Sequence, residues 1–231
     1  MDSSTLTKQG APILSPKRRL MYSIPLVGAL LTIGVIYYIL SAALSVGPRW
    51  LIPGIVIVLM FILVGSLYRG HIPTTRTAGF VLLGVITLAE AISTSALIIG
   101  LLTSTNRLSE VPHDTALVLL RDGALIWLVN ILTFAFWYWE VDGGGPGRRV
   151  HHGYHSSDFI FPQVTLEMHR GEQPWIPHFV DYLFLAFNTS TAFSPTDTQV
   201  LSVRIKLLMM LQSIISLTVL AIVAARAINT L

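Results

Sequence analysis

Five stretches of this chain are apolar for long enough to cross a bilayer, and nothing constrains its fold more. A hydrocarbon core about 30 Å thick is spanned by ~20 apolar residues in a helix. The first run, residues 20–46, reads LMYSIPLVGALLTIGVIYYILSAALSV and meets the breaker GPRW. Residues 51–68, 77–103, 115–140 and 201–229 supply the other four. Lipid satisfies no backbone hydrogen bond, so each run is predicted to be helical. Of 231 residues, 53% are hydrophobic and only 12% charged, against about a quarter charged in a soluble domain. The first run follows KRR but far exceeds the roughly 7–15 residues of a signal-peptide core. It reads as a retained helix.

Basic residues orient the chain. With the N-terminus inside, the Lys and Arg at positions 8, 17–19, 69, 76, 148–149 and 170 are cytoplasmic, against Arg49, Arg107 and Arg121 towards the outer side. The organisation is then a cytoplasmic tail (1–19), a four-helix region (20–140), an extramembrane loop (141–180) and a C-terminal segment (181–231). The loop opens on DGGGPGRR, which reads as a flexible hinge. Trp175, Trp137, Tyr138 and Trp139 read as interfacial anchors. The net charge of +3 is small and spread through loops, so nucleic acid is a poor partner. Cysteine is absent, which excludes disulfides and thiolate metal sites. DGGGPG lacks the Lys-Ser/Thr and strand context of a phosphate loop. No GxSxG or HExxH motif occurs, so no enzyme and no cofactor are expected.

Segment 181–193, DYLFLAFNTSTAF, is apolar but too short to cross. About fifteen helical residues cover only ~22 Å, so a re-entrant half-helix is the economical reading. It completes the predicted fold: an all-α polytopic membrane protein with five transmembrane helices and one half-helix. Irregular backbone at that depth survives only when buried in protein or lining water.

The order Asp181, short aromatic-rich helix, TSTAFSPTD, long helix resembles the pore loop and inner helix of potassium-channel-type proteins. The matched positions are Thr189, Thr191 and Asp197. The C-terminal stretch also resembles an uncharacterised family of bacterial integral membrane proteins, which implies a multi-pass protein of the plasma (bacterial inner) membrane. By this resemblance Thr189, Ser190, Thr191, Ala192, Phe193, Ser194, Thr196 and Asp197 would form a filter, with Gln212, Ser213 and Ser216 lining the inner helix. The filter glycines are replaced by Ser194 and Thr196, and Pro195 stands where that family has tyrosine. Glycine adopts the dihedrals of a carbonyl filter and proline cannot, so potassium selectivity is not expected. The charge bias also inverts the loop relative to that family. A second reading of SPTD is a helix start, with Ser194 as N-cap, Pro195 at the first position and Asp197 completing a capping box. The hydroxyls of Thr189 and Thr191 would then bond the preceding turn.

Within the membrane, Glu90 sits mid-helix, where a charge costs at least ~2.5 kcal/mol. Thr87 and Thr94 share its face, and Asn130 lies at equal depth if the third and fourth helices form a hairpin. The site is either an ion- or proton-binding carboxyl or an interhelical polar clasp. Arg121 and Asp122 read as an interface anchor rather than a pair, since adjacent helical residues do not face each other. His151, His152 and His155 read as a solvated, non-helical loop without metal. The leading functional expectation is a weakly selective, channel-like ion pathway in a homo-oligomer, a tetramer by the channel resemblance, surrounded by lipid and passing small ions. The alternatives are a proton- or ion-coupled transporter centred on Glu90 and a non-conducting scaffold.

Overall fold

The computed structural model describes residues 16–42, 44–69, 71–105, 113–152, 154, 158–164, 175–191 and 197–228. The helices are α1 (Pro16–Ile39), α2 (Leu51–Arg69), α3 (Ile72–Thr105), α4 (His113–Val141), α5 (Pro146–His152), α6 (Phe179–Thr191) and α7 (Val203–Ile228). Two short strands, β1 (Phe159–Ile160) and β2 (Gln199–Val200), pair antiparallel, Phe159 opposite Val200. The windows Pro73–Ile99, Leu120–Gly144 and Val203–Ala225 are long and apolar enough to cross a membrane, while Ile24–Ile39 and Leu51–Leu67 are shorter apolar helices. The protein is a mostly helical membrane protein.

Helix α4 is the centre. Its apolar window is 72% buried, against 39% for that of α3 and 17% for that of α7. It packs on α1, α3, α6 and α7, while α1, α2 and α3 pack in sequence order. Tyr138 and Trp139 are therefore fully buried, and the expectation that they anchor at an interface is corrected. An aromatic run on a helix surrounded on every side has no water to reach.

Helices α3 and α4 run antiparallel in a clear register. Asn130 meets Glu90, Trp137 meets Thr87, Glu140 meets Gly79, and the Gly144 carbonyl meets Arg76. At the Arg76 end, the chain after α4 reverses through a 3₁₀ turn, Asp142–Gly144. Gly143, Gly144 and Gly145 all adopt positive φ (60°, 81° and 89°), which other residues resist. The predicted flexible hinge is instead a packed corner. Arg149, fully buried, donates to the carbonyls of Trp139 (2.5 Å) and Asp142, capping the end of α4. Its guanidinium lies 5.4 Å from the ring centroids of both Trp139 and Tyr182.

Four further expectations are corrected. Helix α1 ends at Ile39 rather than at 46, and the amide of Ser41 is taken up by the Asp122 carboxylate (3.2 Å). Arg121 and Asp122 do pair, at 2.7 Å, because the long arginine stem reaches around the helix to a fully buried carboxylate. The final helix starts at Val203, with the Ser202 hydroxyl accepting the Ile205 amide at 3.4 Å. The Ser194 cap therefore does not start it, since Gln199 and Val200 are spent on the strand pair. His151 and His152 lie on α5, not in an irregular loop, while His155 lies outside the described residues.

Candidate functional site: the polar seam between α3 and α4

Glu90 and Asn130 are buried, at 2% and 0% exposure. Asn130 Nδ2 donates to Glu90 Oε1 at 2.7 Å, the contact their equal depth suggests. The Thr133 hydroxyl and the Tyr37 phenol also face this carboxyl. Glu90 Oε2, Asn130 Oδ1, Thr94 Oγ1, Thr133 Oγ1 and Tyr37 OH are buried without a hydrogen bond of full geometry among the described residues, Thr133 turned towards the Glu90 carboxyl and Tyr37 towards Ser93. Native interiors leave few such atoms. Four such oxygens from α1, α3 and α4, with the free oxygen of Glu90 itself, form a site with spare oxygen valence. Hydroxyl, amide and carboxyl oxygens can replace part of an ion's water shell, and the carboxyl can carry a proton.

The seam continues towards the Arg76 end. Asn130, Thr133, Trp137 and Glu140 succeed one another at helical spacing along one side of α4. Trp137 Nε1 donates to Thr87 Oγ1 at 3.0 Å. Glu140 is fully buried, and neither carboxylate oxygen has a hydrogen-bond partner among the described residues. It rests on bare backbone: a Cβ built on Gly79 would lie 2.7 Å from its carboxyl carbon. Sequence reasoning missed Glu140. The visible signal was its place ten residues beyond Asn130, in phase with Thr133 and Trp137.

The residues of the filter resemblance fall elsewhere. Thr189 and Thr191 donate to the carbonyls of Leu185 (2.8 Å) and Phe187 (3.1 Å), one turn back on α6. Ser190 and Ser216 share a 2.6 Å hydroxyl contact, and Ser216 also donates to the Ser190 carbonyl (2.9 Å) and accepts from Trp127 (2.9 Å). Gln212 accepts from Tyr138 (2.5 Å) and donates to the Ala186 carbonyl (2.8 Å), and Ser213 donates to the Thr189 carbonyl (3.3 Å). Gln212 and Ser216 are fully buried, joining α6 to α7 and α4 within one chain. Asp181 accepts the His178 amide at 2.7 Å, and Asp197 is exposed. Ala192, Phe193, Ser194 and Thr196 lie outside the described residues.

A second network braces the Arg76 end. Asp142, fully buried, accepts Tyr182 (2.6 Å) and Tyr154 (3.0 Å), and Asp158 takes a two-pronged grip from Arg204 (2.7 and 2.6 Å). Among the described residues, no group of three His, Cys, Asp or Glu could hold a metal ion. No family model, no curated protein and no solved structure matches this chain.

Proposed function

We propose that this protein is a small proton- or ion-coupled membrane transporter whose coupling group is the Glu90 carboxyl. The observation that carries this reading is the cluster of unpartnered oxygens around Glu90, buried where polar groups are costly and functional by default. A structural clasp needs only the Asn130 bond. It does not account for the four further unpaired oxygens beyond that of Glu90 itself.

The path of the C-terminal chain supports the same reading. Helix α6 starts with Phe179 against Trp139 and ends with Ser190 at the level of Trp127, while β2 returns beside β1 at the end where α6 began. A helix of 13 residues covers about 20 Å. On this reading α6 is a half-helix that enters and leaves on one side, and discontinuous helices are common in transporters. Helices α1 and α2 complete five spans, with the basic Arg76 end in the cytoplasm of a bacterial inner membrane. The channel-like reading retains one support. The outer face of α7 (Leu207, Met210, Ile214, Leu217) is apolar and exposed, and it fits lipid or another copy of the chain in an oligomer.

Flux in proteoliposomes separates the readings. Glu90→Gln is expected to abolish gradient-driven flux, and Thr191→Ala to leave it within about twofold. The reverse pattern returns the channel to first place. Wild-type protein that moves nothing under any gradient leaves only a scaffold.

A further inference from the structure

We infer that Glu140 is a second proton-binding site of the α3–α4 seam, placed to load Glu90 from the Arg76 end. The loading role rests on the transporter reading above; the proton site does not. A buried carboxylate is normally held by donors. Glu140 is fully buried, yet no donor among the described residues bonds either oxygen. The group lies instead against the α-carbons of Gly79 and Gly145, whose missing side chains make the room it fills.

The neighbouring charges are committed elsewhere. Arg76 on α3 donates to the Gly144 carbonyl at 2.6 Å and stacks over Phe80. Arg149 on α5 bonds the Trp139 and Asp142 carbonyls. Asp142 is bonded by Tyr182 from α6 and by Tyr154, and Arg204 on α7 grips Asp158. Both Arg76 and Arg149 still act on Glu140 through space. They stabilise its anion after it gives up a proton without tying its oxygens, which suits a group that cycles between two forms.

Glu140 is ten residues from Asn130, about 15 Å along the helix. The Thr133 hydroxyl, which faces the Glu90 carboxyl, lies between them on the same side of α4. In the step proposed, hydronium at the Arg76 end gives its proton to a Glu140 oxygen and leaves as water. The proton passes through a relay of the Thr133 hydroxyl and water to Glu90, so Glu140 returns to carboxylate and Glu90 becomes the acid.

The test pairs infrared difference spectra across a pH jump with flux on oriented proteoliposomes, using wild type, Glu140→Gln, Glu90→Gln and Thr133→Val. Glu140→Gln keeps the side-chain shape, and its fold is checked by unchanged helical dichroism and elution. Loss of one protonated-carboxyl band in Glu140→Gln, distinct from the band lost in Glu90→Gln, supports the site; an unchanged spectrum overturns it. Flux driven from the Arg76 side should fall at least tenfold in both Glu140→Gln and Thr133→Val. Unchanged flux in both variants of an active protein overturns the loading role. A wild type without flux defeats the transporter reading and loading together, while the Glu140 band still decides whether the carboxyl takes a proton.

Discussion

At the residue scale, the chemistry of the seam comes from what two side chains lack. Glu90 has one donor for two oxygens, and Glu140 has none among the described residues. Glycine at position 79 is what makes the second possible, because any Cβ there would press into the Glu140 carboxyl at 2.7 Å. Gly79→Ala is therefore expected to destabilise the protein by about 1–3 kcal/mol. Glu140→Ala should remove most of that penalty when combined with it. A double-mutant cycle of unfolding in bicelles measures the coupling, and additive effects would show that the two residues do not press on each other. Glu90, Thr87, Thr94 and Asn130 stood out in the sequence because polarity in an apolar run is conspicuous. Glu140 did not, because it closes the run WYWEVDGGG and looked like the helix leaving the membrane.

At the element scale, α6 is a short helix held by side chains rather than by length. Gln212 of α7 bridges it to α4, accepting from Tyr138 and donating to the Ala186 carbonyl, beside the Ser190–Ser216 contact. Gln212→Leu removes both of these buried contacts and should cost about 1–3 kcal/mol, with faster protease cutting near residues 188–198 as the readout. At the foot of α7, Arg204→Ala removes the two-pronged partner of the fully buried Asp158 carboxylate. Removing one partner of a wholly buried pair costs about 3–5 kcal/mol. Arg204 is 57% exposed and partly screened, so the loss should fall below that range. Ends of elements were the least legible feature. The α1 terminus was decided by Asp122, and the α7 start by the pairing of Gln199 and Val200 with β1, partners 81 and about 40 positions away in the chain.

At the scale of the whole molecule, a single experiment reads the sidedness of the chain. The chain has no cysteine, so single substitutions report without background. If α6 enters and returns, His178→Cys and Asp197→Cys label from the same side as Arg148→Cys, and Pro48→Cys labels from the other. Labelling of positions 178 and 197 from opposite faces would mean that α6 crosses. By itself the sequence determined the solvent and the element type, because apolar length in a medium without water leaves the backbone no choice but helix. It also brought out Glu90 and Asn130, since a carboxyl and an amide deep in apolar runs are hard to miss. Only the tertiary structure decided that α4 is central, that DGGGPGRR is a corner closed by Arg149, and that Gln212 and Ser216 are spent inside one chain. Those outcomes depend on which helix faces which. Apolar runs of similar length are nearly interchangeable along the sequence, and they are told apart only by the partners their few polar atoms find.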